Sequence, residues 1–291
     1  NSTDTGVEIE NVFAGVPTIV SGANVPHGGT YAAEITGLVS GQKMGFSQLF
    51  VTLDNNGPWF FRAYLKIITS PSAENTILTL TELSAVVIVY ITLDNTNVLR
   101  LYDEDGQIGS ASSALNANTY YSIEIKFDRT AAAGSHIVEA RLDESVFATS
   151  SSRSLSSGIG AFGFGGNLNS EAQTTGTWYF DDLAINNTST TDGQSSYPGK
   201  GSIIHLKPNA AGDNSDWTND FASVDEVTPD DATTFVASNT LDQIDDHNLE
   251  SVPAYIGINT VIKLVQVGVR SAGAAASNNS AFNLRIKASS G

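Results

Sequence analysis

Two adjacent carboxylates, Asp181 and Asp182, interrupt the otherwise apolar run "TWYFDDLAI" at 177–185. Read as a strand, successive residues alternate between faces, so Tyr179, Asp181, Leu183 and Ile185 share one face and Trp178, Phe180, Asp182 and Ala184 the other. With Tyr179, Leu183 and Ile185 turned to the core, Asp181 is the buried aspartate and Asp182 the exposed one. An ionised carboxylate among apolar neighbours is costly unless a cation or hydrogen bonds meet it, so the stretch requires a partner. Other catalytic signatures are missing from the sequence. His27, His136, His205 and His247 are far apart, and neither a G-x-S-x-G elbow nor an H-E-x-x-H pair occurs.

The elements that position these residues are strands. Helical periodicity is nearly absent, while short β-rich runs recur between turn clusters: "PTIVSG", "GTYAAEIT", "FSQLFVTLD", "PWFFRAYLKII", "NTILTLTEL", "AVVIVYITLD", "NVLRLYDEDG", "TYYSIEIKFD", "SHIVEARLDE", "GIGAFGFGG" and "TWYFDDLAI". Strands at that spacing predict a two-sheet antiparallel sandwich. In "YYSIEIKFD", Tyr121, Ile123, Ile125 and Phe127 fall on one face and Ser122, Glu124, Lys126 and Asp128 on the other, the pattern of a strand half in water. "DEDG" at 103–106 and "LDES" at 142–145 read as turns whose acids are hydrated. The polar stretch "NNTSTTDGQSSYPGK" has no periodicity and reads as a linker. The expected division is a domain over 1–186, a linker over 187–200 and a second β-domain over 201–291. That domain opens on "SIIHLKP", with "TVIKLVQVGVRS" and "AFNLRIKAS" as later strands.

Thirty-one acidic against fourteen basic residues give a net charge of −17, which repels nucleic-acid phosphates and anionic bilayers. No apolar run reaches the ~18 residues of a membrane-spanning helix. The chain has no cysteine, so disulfides and thiolate metal sites are excluded. Between Asp213 and Glu250 there are eleven acids and no lysine or arginine, a solvated face or a surface for a cation or basic partner.

The pattern "NTYYSIEIKFD", "EARLDESVFATSS" and "GTWYFDDLAI" resembles the concanavalin A-like, laminin-G-like jelly-roll domains, over residues 7 to 187. "LKPNAAGDNSDWT", "VDEVTPDDATTFVAS" and "VQVGVRSAGAA" resemble a β-domain found beside such jelly rolls in structural proteins of tailed bacteriophages. Those domains commonly continue with further strands, whereas this chain stops at Gly291. The resemblance implies an all-β protein, a jelly-roll sandwich with a smaller C-terminal β-domain, working as a capsid-decoration, head-fibre or tail component on the virion surface. Its implied partners are other virion proteins or copies of itself, with host-surface glycans meeting the jelly roll. The alternative is a secreted bacterial carbohydrate-binding or adhesin module.

Jelly rolls of this class include glycoside hydrolases. Retaining hydrolysis needs two carboxylates about 5 Å apart, and the E-x-D-x-x-E run of the fold's glucanases does not occur here, so the chain is expected not to be an enzyme. Sugar rings stack on flat side chains, which makes Trp59, Tyr102 and Trp178 the candidate glycan-binding residues of the first domain and Trp217 that of the second. For Asp181 the expected partner is either Arg62, as a bidentate salt bridge across the sheet, or a structural Ca²⁺. Related sandwiches tie their first and last strands through such an ion, and Glu8 and Glu10 would share it with Asp181.

Overall fold

The computed structural model describes residues 11–12, 18–22, 26–29, 31–36, 44–49, 57–82, 84, 86–169, 175–187, 195–204, 206–225, 234–240, 242–252 and 262, with 11–12 and 44–49 as backbone only. Two antiparallel sheets of seven strands face each other. The first runs β1 (Asn11–Val12), β4 (Met44–Leu49), β13 (Ala161–Gly166), β6 (Asn75–Thr81), β7 (Val87–Leu93), β8 (Leu99–Asp103) and β9 (Gly106–Ile108). The second runs β12 (Ser145–Arg153), β11 (His136–Leu142), β10 (Tyr120–Asp128), β5 (Trp59–Thr69), β14 (Thr177–Asn187), β3 (Tyr31–Thr36) and β2 (Thr18–Ser21). This is the sandwich that the alternating runs predict.

The core follows from that alternation. Phe61, Ala63, Leu65 and Ile67 of β5 and Ile123, Ile125 and Phe127 of β10 turn inward. They meet Val89, Ile91 and Leu93 of β7, Leu99 and Leu101 of β8, and Phe162 and Phe164 of β13. Phe61 stacks on Phe162 at 4.7 Å between ring centroids, joining the sheets at their centre. Trp59 and Trp178 belong to this core, 3% and 0% exposed, and Trp178 Nε1 donates to Gly165 O. Neither offers a ring face to a sugar, because each sits at an inward position of its strand.

Two turn expectations need amendment. Asp143 and Glu144 form the β11–β12 turn with φ of 50° and 71°, so the reading of "LDES" as a hairpin tip holds. In "DEDG" only Glu104 and Asp105 occupy the turn; Asp103 is 4% exposed and ion-paired with Arg153 of β12.

By compactness the chain divides into Asn1–Ser251 and Val252–Gly291. The first unit includes a two-stranded sheet of β15 (Pro208–Ser215) and β16 (Asp245–Leu249), and a 3-10 turn, Phe221–Ser223, is the sole helical element among the described residues. Among the described residues of "SIIHLKP" only the last, Pro208, is in a strand. The runs "TVIKLVQVGVRS" and "AFNLRIKAS" lie, Ile262 apart, outside the described residues.

Candidate functional site on the outer face of the β5 sheet

Along "WFFRAYLKI" the residues alternate, and those pointing away from the core are Phe60, Arg62, Tyr64 and Lys66. A strand with one wet face would leave these four in solvent, yet Arg62 is 5% exposed, Tyr64 4% and Lys66 8%. Something covers them. The strand registers lay out what surrounds them in rows. Lys66 sits between Tyr179 and Tyr120, Tyr64 between Asp181 and Ser122, and Arg62 between Ala184 and Glu124, with Arg141 of β11 beyond Glu124.

The aspartates occupy a bulge. Asp181 pairs with Tyr64 and Ala184 with Arg62, three steps along β14 against two along β5, so one extra residue is inserted. Asp182 takes it up at a φ of 46°, a conformation uncommon outside glycine. Strict alternation therefore fails. Trp178 and Phe180 face the core before the bulge, while Leu183 and Ile185 pack against the core after it. The expected assignment is reversed: Asp182 is the buried carboxylate, with a side chain 2% exposed, and Asp181 is only partly buried.

Their partners also differ from those expected. Asp181 Oδ2 accepts the main-chain N–H groups of His27 (2.7 Å) and Gly28 (3.3 Å), and its Oδ1 accepts that of Asp182 at 2.7 Å. Asp182 Oδ2 accepts His27 Nδ1–H at 2.6 Å, and its Oδ1 accepts the N–H of Ile203 at 2.7 Å. Arg62 does reach the bulge, but Nε and Nη2 donate to the main-chain oxygen of Asp182 at 3.1 and 2.9 Å, not to the Asp181 carboxylate. Every carboxylate oxygen of the pair thus meets an N–H of the fold. Glu8 and Glu10 lie outside the described residues, among which no group of three acids or histidines is placed to hold a metal. Burial, reinforced by the neighbouring Asp182 charge, pushes the Asp181 carboxyl up to about 6 despite its N–H donors.

The cover is residues 195–203, which cross the sheet as a strap. Asn186 Nδ2 donates to Ser196 O at 2.8 Å. Tyr197 lies edge-on to Phe60, beneath the Arg141 guanidinium at 3.7 Å, and donates its hydroxyl to Glu139 Oε1. Gly199 donates to Glu124 Oε1 at 2.8 Å and accepts from Arg62 Nη1 at 2.9 Å. Gly201 donates to Tyr64 Oη, and Ile203 closes on Asp182. Ser122 and Glu124, expected in water, are 0% and 1% exposed. Burial raises the Glu124 carboxyl above its ordinary range, although the Gly199 N–H and the Arg141 charge oppose the shift. A Cβ at Gly28 would stand 2.8 Å from Ser202 Cβ and 2.9 Å from Asp182 Oδ2, so the 26–29 loop, the bulge and the strap interlock there.

No strap residue is bonded to Lys66 by the contacts above; its 8% exposure comes with an ammonium that lies over the Tyr120 ring. Pro26, His27, Lys66, Asn118 and Tyr120 line an open depression of about 550 Å³. His27 stacks on Tyr64 at 3.6 Å and meets Tyr120 edge-on at 5.3 Å, while Lys66 Nζ lies over the Tyr120 ring at 5.3 Å. The Asp182 carboxylate engages His27 Nδ1, which leaves Nε2 as the ring nitrogen available to a ligand. At the next row position Tyr179 hydrogen-bonds to Glu34 of β3. Burial and the two aspartate charges raise the Tyr120 phenol, keeping it protonated as a donor.

Of the residues predicted from sequence, Arg62 and Asp181 come together here. Tyr102 lies on the opposite sheet, stacked on Tyr90 at 5.0 Å with its hydroxyl donating to Glu74, and Trp217 follows β15. His136 accepts the Leu155 N–H through Nδ1, and His247 pairs with Asp245; His205 lies outside the described residues. His27, Tyr64, Lys66 and Tyr120 were missed. The alternating Arg62, Tyr64 and Lys66 in one strand were the available signal.

No family model matches the chain, and neither does any curated protein. Among solved structures, the cellulose-induced protein Cip1 matches at 17% identity over 68% of this chain and 95% of its own, with a TM-score of 0.47. Alginate lyase AlgAT5 of polysaccharide lyase family 7 matches at 11% identity over 58% of this chain and 82% of its own, with a TM-score of 0.42. A Trypanosoma rangeli sialidase in complex with sialic acid matches at 13% identity over 58% of this chain and 26% of its own, with a TM-score of 0.44. At these scores the likenesses carry nothing about activity.

Proposed function

We propose that this chain is a non-enzymatic glycan-binding jelly roll carried on a larger assembly, a bacteriophage virion component displaying the depression beside His27 to host-surface glycans. The observation that carries the glycan reading is the depression itself. An ammonium group, a phenol and an imidazole converge on one depression with aromatic ring surface among them, the chemistry by which hydroxyl-rich rings are held. The non-enzymatic reading is supported by the two aspartates, whose oxygens are engaged by N–H donors of the fold. The virion assignment rests on the resemblance of "LKPNAAGDNSDWT" and the stretches after it.

The test is binding of the full chain to β-glucan, galactan and alginate oligosaccharides by calorimetry, with product release followed in parallel. Lys66→Ala and Tyr120→Ala are expected to weaken binding by about tenfold each, with no turnover by any form. Binding unaffected by both substitutions moves the site elsewhere, and turnover abolished by His27→Ala makes the chain an enzyme. Recovery of the chain on purified particles supports the virion assignment; recovery only as free protein in culture fluid favours the secreted module.

A further inference from the structure

The depression is one end of a longer polar strip. Lys66, Tyr64 and Arg62 project from alternate positions of β5 onto one face, so the strip continues directly beneath the strap. There the strap's main chain is held largely by side chains of the sheet. Glu124 and Tyr64 accept its N–H groups and Arg62 donates to its carbonyl, while Arg141 and Phe60 flank the Tyr197 ring. Planar polar side chains reading an extended polar chain, with a flat ring between an aromatic and a guanidinium, form a ligand-binding arrangement. The fit is incomplete. Ser122 Oγ, in register with Tyr64, and Glu124 Oε2, on the carboxylate that holds Gly199, are both fully buried and have no hydrogen-bond partner among the described residues. Buried polar atoms without partners are rare in folded chains, and these two sit side by side on one face of β10.

We propose that the strip of Arg62, Tyr64, Ser122 and Glu124 is a covered continuation of the glycan groove, filled in this state by residues 197–201 as an internal occupant. A glycan long enough to extend from the depression displaces the strap, places a pyranose ring where the Tyr197 ring lies, and offers hydroxyls to Ser122 and Glu124. This rests on the glycan reading above. An occupied site lowers apparent affinity by the fraction of molecules in which it is open, so the strap selects for long chains over short ones.

The full chain tests this with disaccharides and hexasaccharides of β-glucan, galactan and alginate as probes. Hydrogen exchange at the amides of Gly199, Gly201 and Ile203, which donate to Glu124, Tyr64 and Asp182, is expected to accelerate on adding the bound hexasaccharide and not the disaccharide. Tyr197→Ala, which weakens the strap without altering the strip, is expected to raise hexasaccharide affinity about fivefold or more and leave disaccharide affinity unchanged. Hexasaccharide binding with unchanged protection and no gain in Tyr197→Ala overturns this inference while the glycan reading stands. Failure of both forms to bind any probe overturns both. Binding by Tyr197→Ala alone supports the covered site. If Tyr197→Ala instead forms dimers, the strip takes a second copy of the chain and the glycan assignment falls.

Discussion

On the β7–β8 side of the sandwich, Arg100 meets the Asp94 carboxylate at 2.6 Å with 27% of its side chain in solvent, whereas on the β5 side Arg62 is 5% exposed and donates to the carbonyls of Asp182 and Gly199. The first arrangement pairs side chain with side chain on an open sheet. The second uses a charged side chain to satisfy backbone that crosses the sheet where no ladder partner exists. Backbone groups need hydrogen bonds wherever they are buried, so a segment laid across a sheet face can be held only by long polar side chains from below. Arg62, Tyr64 and Glu124 are such residues.

The largest expected effect separates the two arginines. Arg62→Ala removes the donors of the buried Asp182 carbonyl and the partly buried Gly199 carbonyl, and is expected to lower stability by about 3 kcal/mol in urea denaturation. Arg100→Ala, in a partly exposed pair whose Asp94 carboxylate keeps its Thr96 and Val98 donors, is expected to cost about 1 kcal/mol or less. Equal losses would mean that the strap contributes nothing to stability.

A smaller effect is expected at the point where loop, bulge and strap interlock. Gly28→Ala places a methyl group against Ser202 and Asp182, and should cost about 1–2 kcal/mol through overpacking. Gly106→Ala, where a Cβ meets nothing within 4 Å although φ is +120°, isolates the cost of backbone strain alone.

The pH dependences of the two sides have opposite signs. The Asp181 carboxyl is raised from 3.8 to about 6, so the folded chain holds its proton more tightly than the unfolded chain does. Its contribution to stability is present below pH 4 and lost as pH rises through about 6. Burial acts to raise Asp94 too, but hydrogen bonds from Thr96, Val98 and Arg100 outweigh it and hold that carboxyl down from 3.8 to about 2. Its contribution is present above pH 4 and lost as pH falls towards 2. Asp181→Asn should therefore flatten the stability profile between pH 4 and 6, and Asp94→Asn should flatten it between pH 4 and 2. A profile in which both substitutions act in the same window would contradict the two environments.

The strands were legible in the sequence because alternation is a local property. Tyr121, Ile123, Ile125 and Phe127 face the core as their spacing requires, and the hairpin at Asp143 and Glu144 falls where the turn residues put it. The aspartates were misassigned because a bulge shifts the period by one residue without altering composition, so Trp178 and Ile185 can both face inward across it. The strap was invisible for a different reason. "SSYPGK" has no periodicity, and what holds it is sequence-distant: Glu124 lies 75 residues from Gly199, and Arg62 lies 137. The same distance hid His27, which reaches Asp182 across 155 residues. Trp59 and Trp178 pointed to ligand binding by residue type, but their inward strand positions made them core.

The order of the strap's attachments along the chain has a mechanical consequence. From Ile203 back to Ser196 the attachments are Asp182, Tyr64, Glu144, Glu124 with Arg62, the Tyr197 ring against Arg141, and finally Asn186. Tension applied to the chain beyond residue 204 meets these hydrogen bonds one at a time, as in peeling, and reaches the ladder of β14 only after the last has parted. The strap is therefore a compliant element in series with a stiff one: it lengthens in small steps under load while the sandwich keeps its shape.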